Sequence, residues 1–243
     1  MTAETANHRH GPRFRWQMMR WTALGLAFYL LVAYFLVPFA WRRAELRHPA
    51  FHGMPQIART HDNIPGDPLN IALIGLERDV SKSMLAAGWH PADPLTLESC
   101  LRIAGDTVMH RPYKDAPVSN LYVWGRKQDL AFEQAVGHDP RRRHHVRFWR
   151  STELDDQQRP LWIGAATFDE KVGFSHTTGQ ITHHIGPDVD LERDKILNDL
   201  KQAGSIAVVD WEQTFHQQLS GRNGGGDPWK TDGRLAVALL KAP

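Results

Sequence analysis

Between Trp21 and Trp41 the chain reads WTALGLAFYLLVAYFLVPFAW, a stretch without a single charged side chain. At ~1.5 Å of rise per residue a helix of this length extends roughly 31 Å, close to the ~30 Å hydrocarbon thickness of a bilayer. This run constrains the chain more than any other feature. A buried core helix rarely goes so long without charge. A cleaved leader would have a shorter apolar region followed by small residues, whereas Pro-Phe-Ala-Trp-Arg-Arg follows here. The expectation is one retained transmembrane helix, 21–41, behind a basic tail, 1–20. Pro38 falls in its last turn, where water or headgroups can satisfy the freed carbonyl. Arg9, Arg13, Arg15 and Arg20 precede the span, and Arg42, Arg43 and Arg47 follow it. The positive-inside bias then leans by a narrow margin towards a cytoplasmic N-terminus and an extracytoplasmic C-terminal domain.

Residues 42–66 read as a proline-punctuated linker, and a folded domain is expected over 67–243. Asn70–Gly75 is nearly all apolar, as in a strand covered on both faces. Val80, Met84 and Ala87 mark a helix stopped at Gly88, and Asp93-Pro94 opens a second, running to Gly105. Short aromatic and β-branched runs follow at Ser119–Gly125, Leu130–Ala135, His144–Arg150, Leu161–Phe168 and Gln180–Ile185. One further helix runs through Val189, Ile196 and Leu200 to Gly204. Two late strands, Ser205–Trp211 and Leu235–Lys241, are joined across Gly224-Gly225-Gly226. The pattern is α+β: helices packed on a mixed or antiparallel sheet, preceded by one transmembrane helix.

Composition excludes several functions. A formal net charge of +2 makes the chain no polyelectrolyte partner for nucleic acid. Cys100 is the only cysteine, so an internal disulfide and a multi-thiolate zinc site are both impossible.

The densest polar chemistry lies in Arg141–Arg150 (RRRHHVRFWR) and Thr182–Asp188 (THHIGPD). Side chains alternate across a strand, so Val146 and Phe148 facing the core send His145, Arg147 and Trp149 the other way. In the second segment Ile181, His183 and Ile185 take the core side, leaving Thr182 and His184 opposite. If the two strands are neighbours, His145, Arg147, Thr182 and His184 share one surface. Two imidazoles there can form an acid/base pair, and Arg147 can hold a phosphate or carboxylate. His145, His184 and Arg147 are therefore the candidate catalytic set. His145, His184 and Asp188 are the candidate ligands of a divalent metal, although no recognised catalytic motif accompanies them. Against this, Asp188 is well placed to cap the following helix, Arg147 can form a ladder with Trp149, and His144 and His183 read as structural histidines.

Taken in order, Ala87-Gly88-Trp89, Ala116-Pro117-Val118-Ser119, Gly125–Phe132 (GRKQDLAF), Arg143–Trp149 (RHHVRFW), Trp162–Asp169 (WIGAATFD) and Thr182–Ile185 with Asp188 and Asp190 resemble the LssY C-terminal domain family. The resemblance runs from Asp67 to Trp211. It implies a bacterial membrane protein, since such domains occur in some cases behind DedA-like and phosphatidic-acid-phosphatase-like membrane modules. It supplies no catalytic residues to carry over. Three readings stay open: a single-pass protein of the bacterial inner membrane with a binding or accessory role towards an anionic lipid or a membrane partner; a phosphoester hydrolase using His145, His184 and Arg147; or a structural interaction module of a secretion-related assembly.

Overall fold

The computed structural model describes residues 12–40, 51, 53–92, 120–137, 142–177, 179 and 181–241. The chain divides into two compact units, residues 1–45 and 46–243.

The described residues of the first unit, 12–40, are helical. Helix α1, Pro12–Leu31, passes into a π-helical turn, Val32–Leu36, and continues as helix to Ala40. Trp16–Ala40 is long and apolar enough to cross a membrane. The π turn has a local cause. Pro38 has no N–H for the Tyr34 carbonyl and its ring crowds that carbonyl, so the ladder widens just before it, with the Val37 N–H bonded to the Val32 carbonyl.

The second unit is built on an eight-stranded mixed sheet. Its strands are β3 (Ile71–Ile74), β4 (His90–Pro91), β7 (Leu130–Ala135), β8 (Arg143–Leu154), β9 (Pro160–Phe174), β10 (Ile181–Ile185), β11 (Ile206–Glu212) and β14 (Leu235–Leu240). The order is β11-β14-β3-β9-β8-β7-β4, with β10 paired to the far end of β9. Only β3 and β14 run parallel; the other pairs are antiparallel.

Alternation along β8 and β9 generates two buried faces. Val146, Phe148, Trp162 and Ala166 meet Val80 and Met84 of helix α2 (Glu77–Ala86) and Ile196, Leu197 and Leu200 of helix α3 (Val189–Gln202). Trp149, Leu161, Ile163 and Ala165 pack on the opposite face with Ala58, Leu69, Leu121 and Val123. Those last residues belong to or flank a small second sheet of β1 (Ile57–Arg59), β2 (Pro65–Pro68), β5 (Tyr122–Val123) and β6 (Arg126–Lys127). A two-stranded ribbon, β12 (Ser220–Arg222) with β13 (Pro228–Lys230), completes the set.

The α+β expectation holds, as do the strands over residues 71–74, 130–135 and 235–240 and the helices ending before Gly88 and Gly204. The segment read as an extended linker differs. β1 forms in it, β2 begins at its end, and Phe51 lies in the second core. Strands of three and four residues are too short to display a period, and prolines at the ends of β2 mask it further. The helix expected from Asp93 to Gly105, with Cys100, lies outside the described residues.

Asn70 splices the layers together. Its side-chain amide donates to the Ala166 and Val189 carbonyls at 3.0 and 2.8 Å, and its oxygen accepts from the Ala166 N–H at 2.9 Å. A fully buried amide with all these bonds made fixes β3, β9 and the start of α3 in one register.

Candidate functional site

The second face of the sheet turns polar towards one end. His145 sits opposite Thr167 in the β8–β9 ladder, with Arg147 opposite Ala165 and Arg143 opposite Asp169. All of these are buried. Arg147 Nη1 donates to Asp67 Oδ2 at 3.2 Å, and Asn223 Nδ2 donates to the other Asp67 oxygen at 3.3 Å. Arg143 donates to Asp169 at 3.1 Å, to Glu133 at 2.9 Å and to His183 Nε2 at 3.2 Å. His183 Nδ1 in turn lies 3.5 Å from Asp169.

Between these two ion-paired groups His145 is 0% exposed, and neither of its ring nitrogens has a hydrogen-bond partner; nor does the Thr167 hydroxyl beside it. Burial, reinforced by the charges of Arg147, Arg143 and His183, holds the His145 pKa well below the usual imidazole value. The ring is therefore neutral at physiological pH. Burial pushes Asp67 up against the pull of Arg147, and Asp169 up against that of Arg143. Leaving buried polar atoms unpaired costs about 1–3 kcal/mol each, so a site that keeps three of them is a functional candidate on energetic grounds.

β8 and β10 are not neighbours: β9 runs between them. His145 is opposite Thr167 and His184 opposite Lys171, so their α-carbons are separated by about 16 Å, from strand spacing and rise. A bulge between His184 and Ile185 shifts the register. His183, expected among core residues, meets Arg143 and Asp169, whereas His184 meets Asp227. The side chain of Thr182 lies outside the described residues.

His184 belongs to a second cluster. Its Nδ1 is 2.6 Å from Asp227 Oδ1, and Asp227 Oδ2 also accepts from the Ile185 N–H at 3.3 Å. An ionised carboxylate only accepts, so Nδ1–H is the donor in this pair. The ring packs against Gly173, where an added Cβ would come within 2.7 Å of Nε2. His176, in the turn after β9, places its ring centroid 5.3 Å from that of His184.

Two loops are zipped together to make this contact. The His176 N–H donates to the Gly225 carbonyl at 2.9 Å, and Asn223 Oδ1 accepts from the N–H groups of Gly225 and Asp227 at 3.0 and 2.9 Å. Gly226 has φ +86°, and a Cβ there would lie 2.8 Å from that of His176. The glycine triplet is thus what lets the Asp227 loop approach.

Among the described residues, the set of three whose potential ligand atoms all lie within 4.8 Å of one another is His176, His184 and Asp227. His145 and Asp188 are outside it. Asp188 is the N-cap residue of α3 without a side-chain capping bond, and it pairs instead with Lys230 at 3.0 Å. His144 is structural, 2.8 Å from Glu192 and packed on Phe168. His176 and Asp227 escape a periodicity reading because both sit in loops. The available signal was a glycine triplet leading straight into an aspartate, and a histidine between two strands.

An apolar helix of membrane-spanning length and an α+β domain with buried histidine–carboxylate clusters define the class: a chain that fits a membrane-anchored protein. The family described as LssY C-terminus matches residues 51–235, and the chain belongs to that family. No curated protein and no solved structure matches it.

Proposed function

We infer that the protein is a single-pass, membrane-anchored binding module with an accessory role, whose domain takes a compact anionic group such as a phosphate-bearing lipid headgroup. The observation that carries this reading is the buried His145–Thr167 pair, with three unpartnered polar atoms between two arginine–carboxylate pairs. After burial, the nearby Arg147, Arg143 and His183 further disfavour a proton on His145. A neutral imidazole and a hydroxyl there offer donors to an anionic oxygen. Glu133 and His183, whose side chains are 28% and 14% exposed, mark the edge from which such a group would enter. On this reading the anchor lies in the bacterial inner membrane with the domain on the extracytoplasmic side. A topology reporter fused after Pro243 tests the orientation; activity only in the cytoplasm would reverse it.

The test uses the full chain in zwitterionic nanodiscs, titrated with a short-chain phosphatidic acid and followed by calorimetry. Saturable binding that weakens at least tenfold in His145→Phe is the expected result, with no binding of a short-chain phosphatidylcholine. Equal binding by wild type and His145→Phe would discard the reading.

A second reading, phosphoester hydrolysis, draws on the Asp227–His184 dyad, in which the carboxylate orients the ring and leaves Nε2 as a general base. Arg147, tied to Asp67, is then a positioning residue for the face rather than the anion clamp. Turnover on a phosphoester panel that disappears in His184→Ala would support it, and absence of turnover in the wild-type chain would remove it.

A further inference from the structure

We propose that His176, His184 and Asp227 bind a divalent transition cation of the zinc class through two imidazole nitrogens and one carboxylate oxygen. This goes beyond the anion-binding reading and does not depend on it, because none of the three residues belongs to the His145 cluster.

Donor chemistry comes first. Two imidazoles and a carboxylate suit zinc and its first-row neighbours better than magnesium or calcium, which favour all-oxygen sites. Three protein donors leave a fourth position for water or a ligand group. Geometry agrees, since the three ligand atoms already lie within 4.8 Å of one another. Metal–ligand bonds of about 2.0–2.2 Å in tetrahedral array put donor atoms about 3.3 Å apart. His184 Nδ1 and Asp227 Oδ1, now 2.6 Å apart, need open by less than about 1 Å to admit the ion between them. The proton on Nδ1 leaves to solvent as the cation takes its place.

The surroundings hold these donors in place. Asp227 is fixed by the Ile185 N–H and by the turn that Asn223 closes, and Asn223 is itself tied to Asp67. His176 is fixed through its backbone bond to Gly225. His184 and Asp227 are buried while His176 is exposed, so the cluster faces solvent on one side and gives the ion a way in.

A purely structural His184–Asp227 hydrogen bond is the competing account, and His176 discriminates. Its ring is exposed, so His176→Ala leaves the core untouched. The full chain, purified in detergent without a histidine tag and stripped with chelator, is loaded with Zn²⁺ or Co²⁺. Binding is read by elemental analysis, Co²⁺ d–d absorption and competition with a chromophoric chelator. The expected result is one tight equivalent in the wild type, with affinity at least tenfold weaker in both His176→Ala and Asp227→Asn. The exposed His61, 3.3 Å from Asp62 and outside the three-residue cluster, provides the control, and His61→Ala should bind like wild type. Absence of a tight equivalent in the wild type, or a loss of less than tenfold in His176→Ala, overturns the proposal.

Discussion

His184 and Asp227, 43 positions apart, meet at 2.6 Å because β10 and the loop before β13 are folded onto the same end of β9. The contact depends on a missing side chain. Gly173, opposite Thr182 in the β9–β10 ladder, leaves the space that the His184 ring fills. Gly173→Ala is therefore expected to force the ring off Asp227 and to destabilise the domain by about 1–3 kcal/mol, the usual cost of overpacking. Histidine ¹⁵N chemical shifts check the first effect, and chemical denaturation the second.

The Asp67–Arg147 pair is buried on both sides, with side chains 9% and 6% exposed. Removing one partner strands the other charge. Arg147→Met alone is expected to cost about 3–5 kcal/mol, and the double change with Asp67→Asn distinctly less than the sum. A double-mutant cycle by denaturant unfolding measures the coupling.

His145 sets a pH dependence. Its folded pKa is depressed, so below the ordinary imidazole value of ~6.5 the unfolded chain takes up a proton that the folded chain refuses. Stability is thus present above that pH and lost as pH falls through it. His216, also depressed by burial, acts in the same direction. Asp67 and Asp169, raised by burial, act in the opposite direction, because the folded state binds their protons at a higher pH than the unfolded chain does. His145→Phe should flatten the slope between pH 6.5 and 5 by up to about 1.4 kcal/mol per pH unit. Melting curves across that range decide it, with an unchanged slope counting against a neutral buried ring.

The Trp16–Ala40 helix makes a separate prediction. Phe28→Arg places a charge near its middle and raises the insertion cost by about 2.5–3.5 kcal/mol. The chain should shift from the carbonate-resistant membrane fraction towards the soluble one. The intact mass of the wild-type chain extracted from membranes should still include this segment.

Much of the architecture was legible in residue order. The period along Arg143–Trp149 assigned Val146 and Phe148 to one face and His145, Arg147 and Trp149 to the other, as the two cores show. Nearly continuous apolar runs at 71–74 and 235–240 marked strands buried on both faces. β1, β2 and β4 were not legible, because two to four residues carry no period. The candidate site was legible in part. His145 and Arg147 were placed on one surface, but His184 was assigned to it on the assumption that two strands adjoin.

Sequence alone determined the elements that depend on local pattern: an uncharged run long enough for a bilayer, the helix stripes, and which side chains of each strand point together. Only the tertiary structure decided that β9 separates β8 from β10, that His183 meets Arg143, and that the turn carrying His176 meets the loop carrying Asp227. Alternation fixes a side chain's face from its immediate neighbours in the chain. Which strands lie side by side, and which loops touch, follows from packing between residues far apart in sequence, and no local period encodes it.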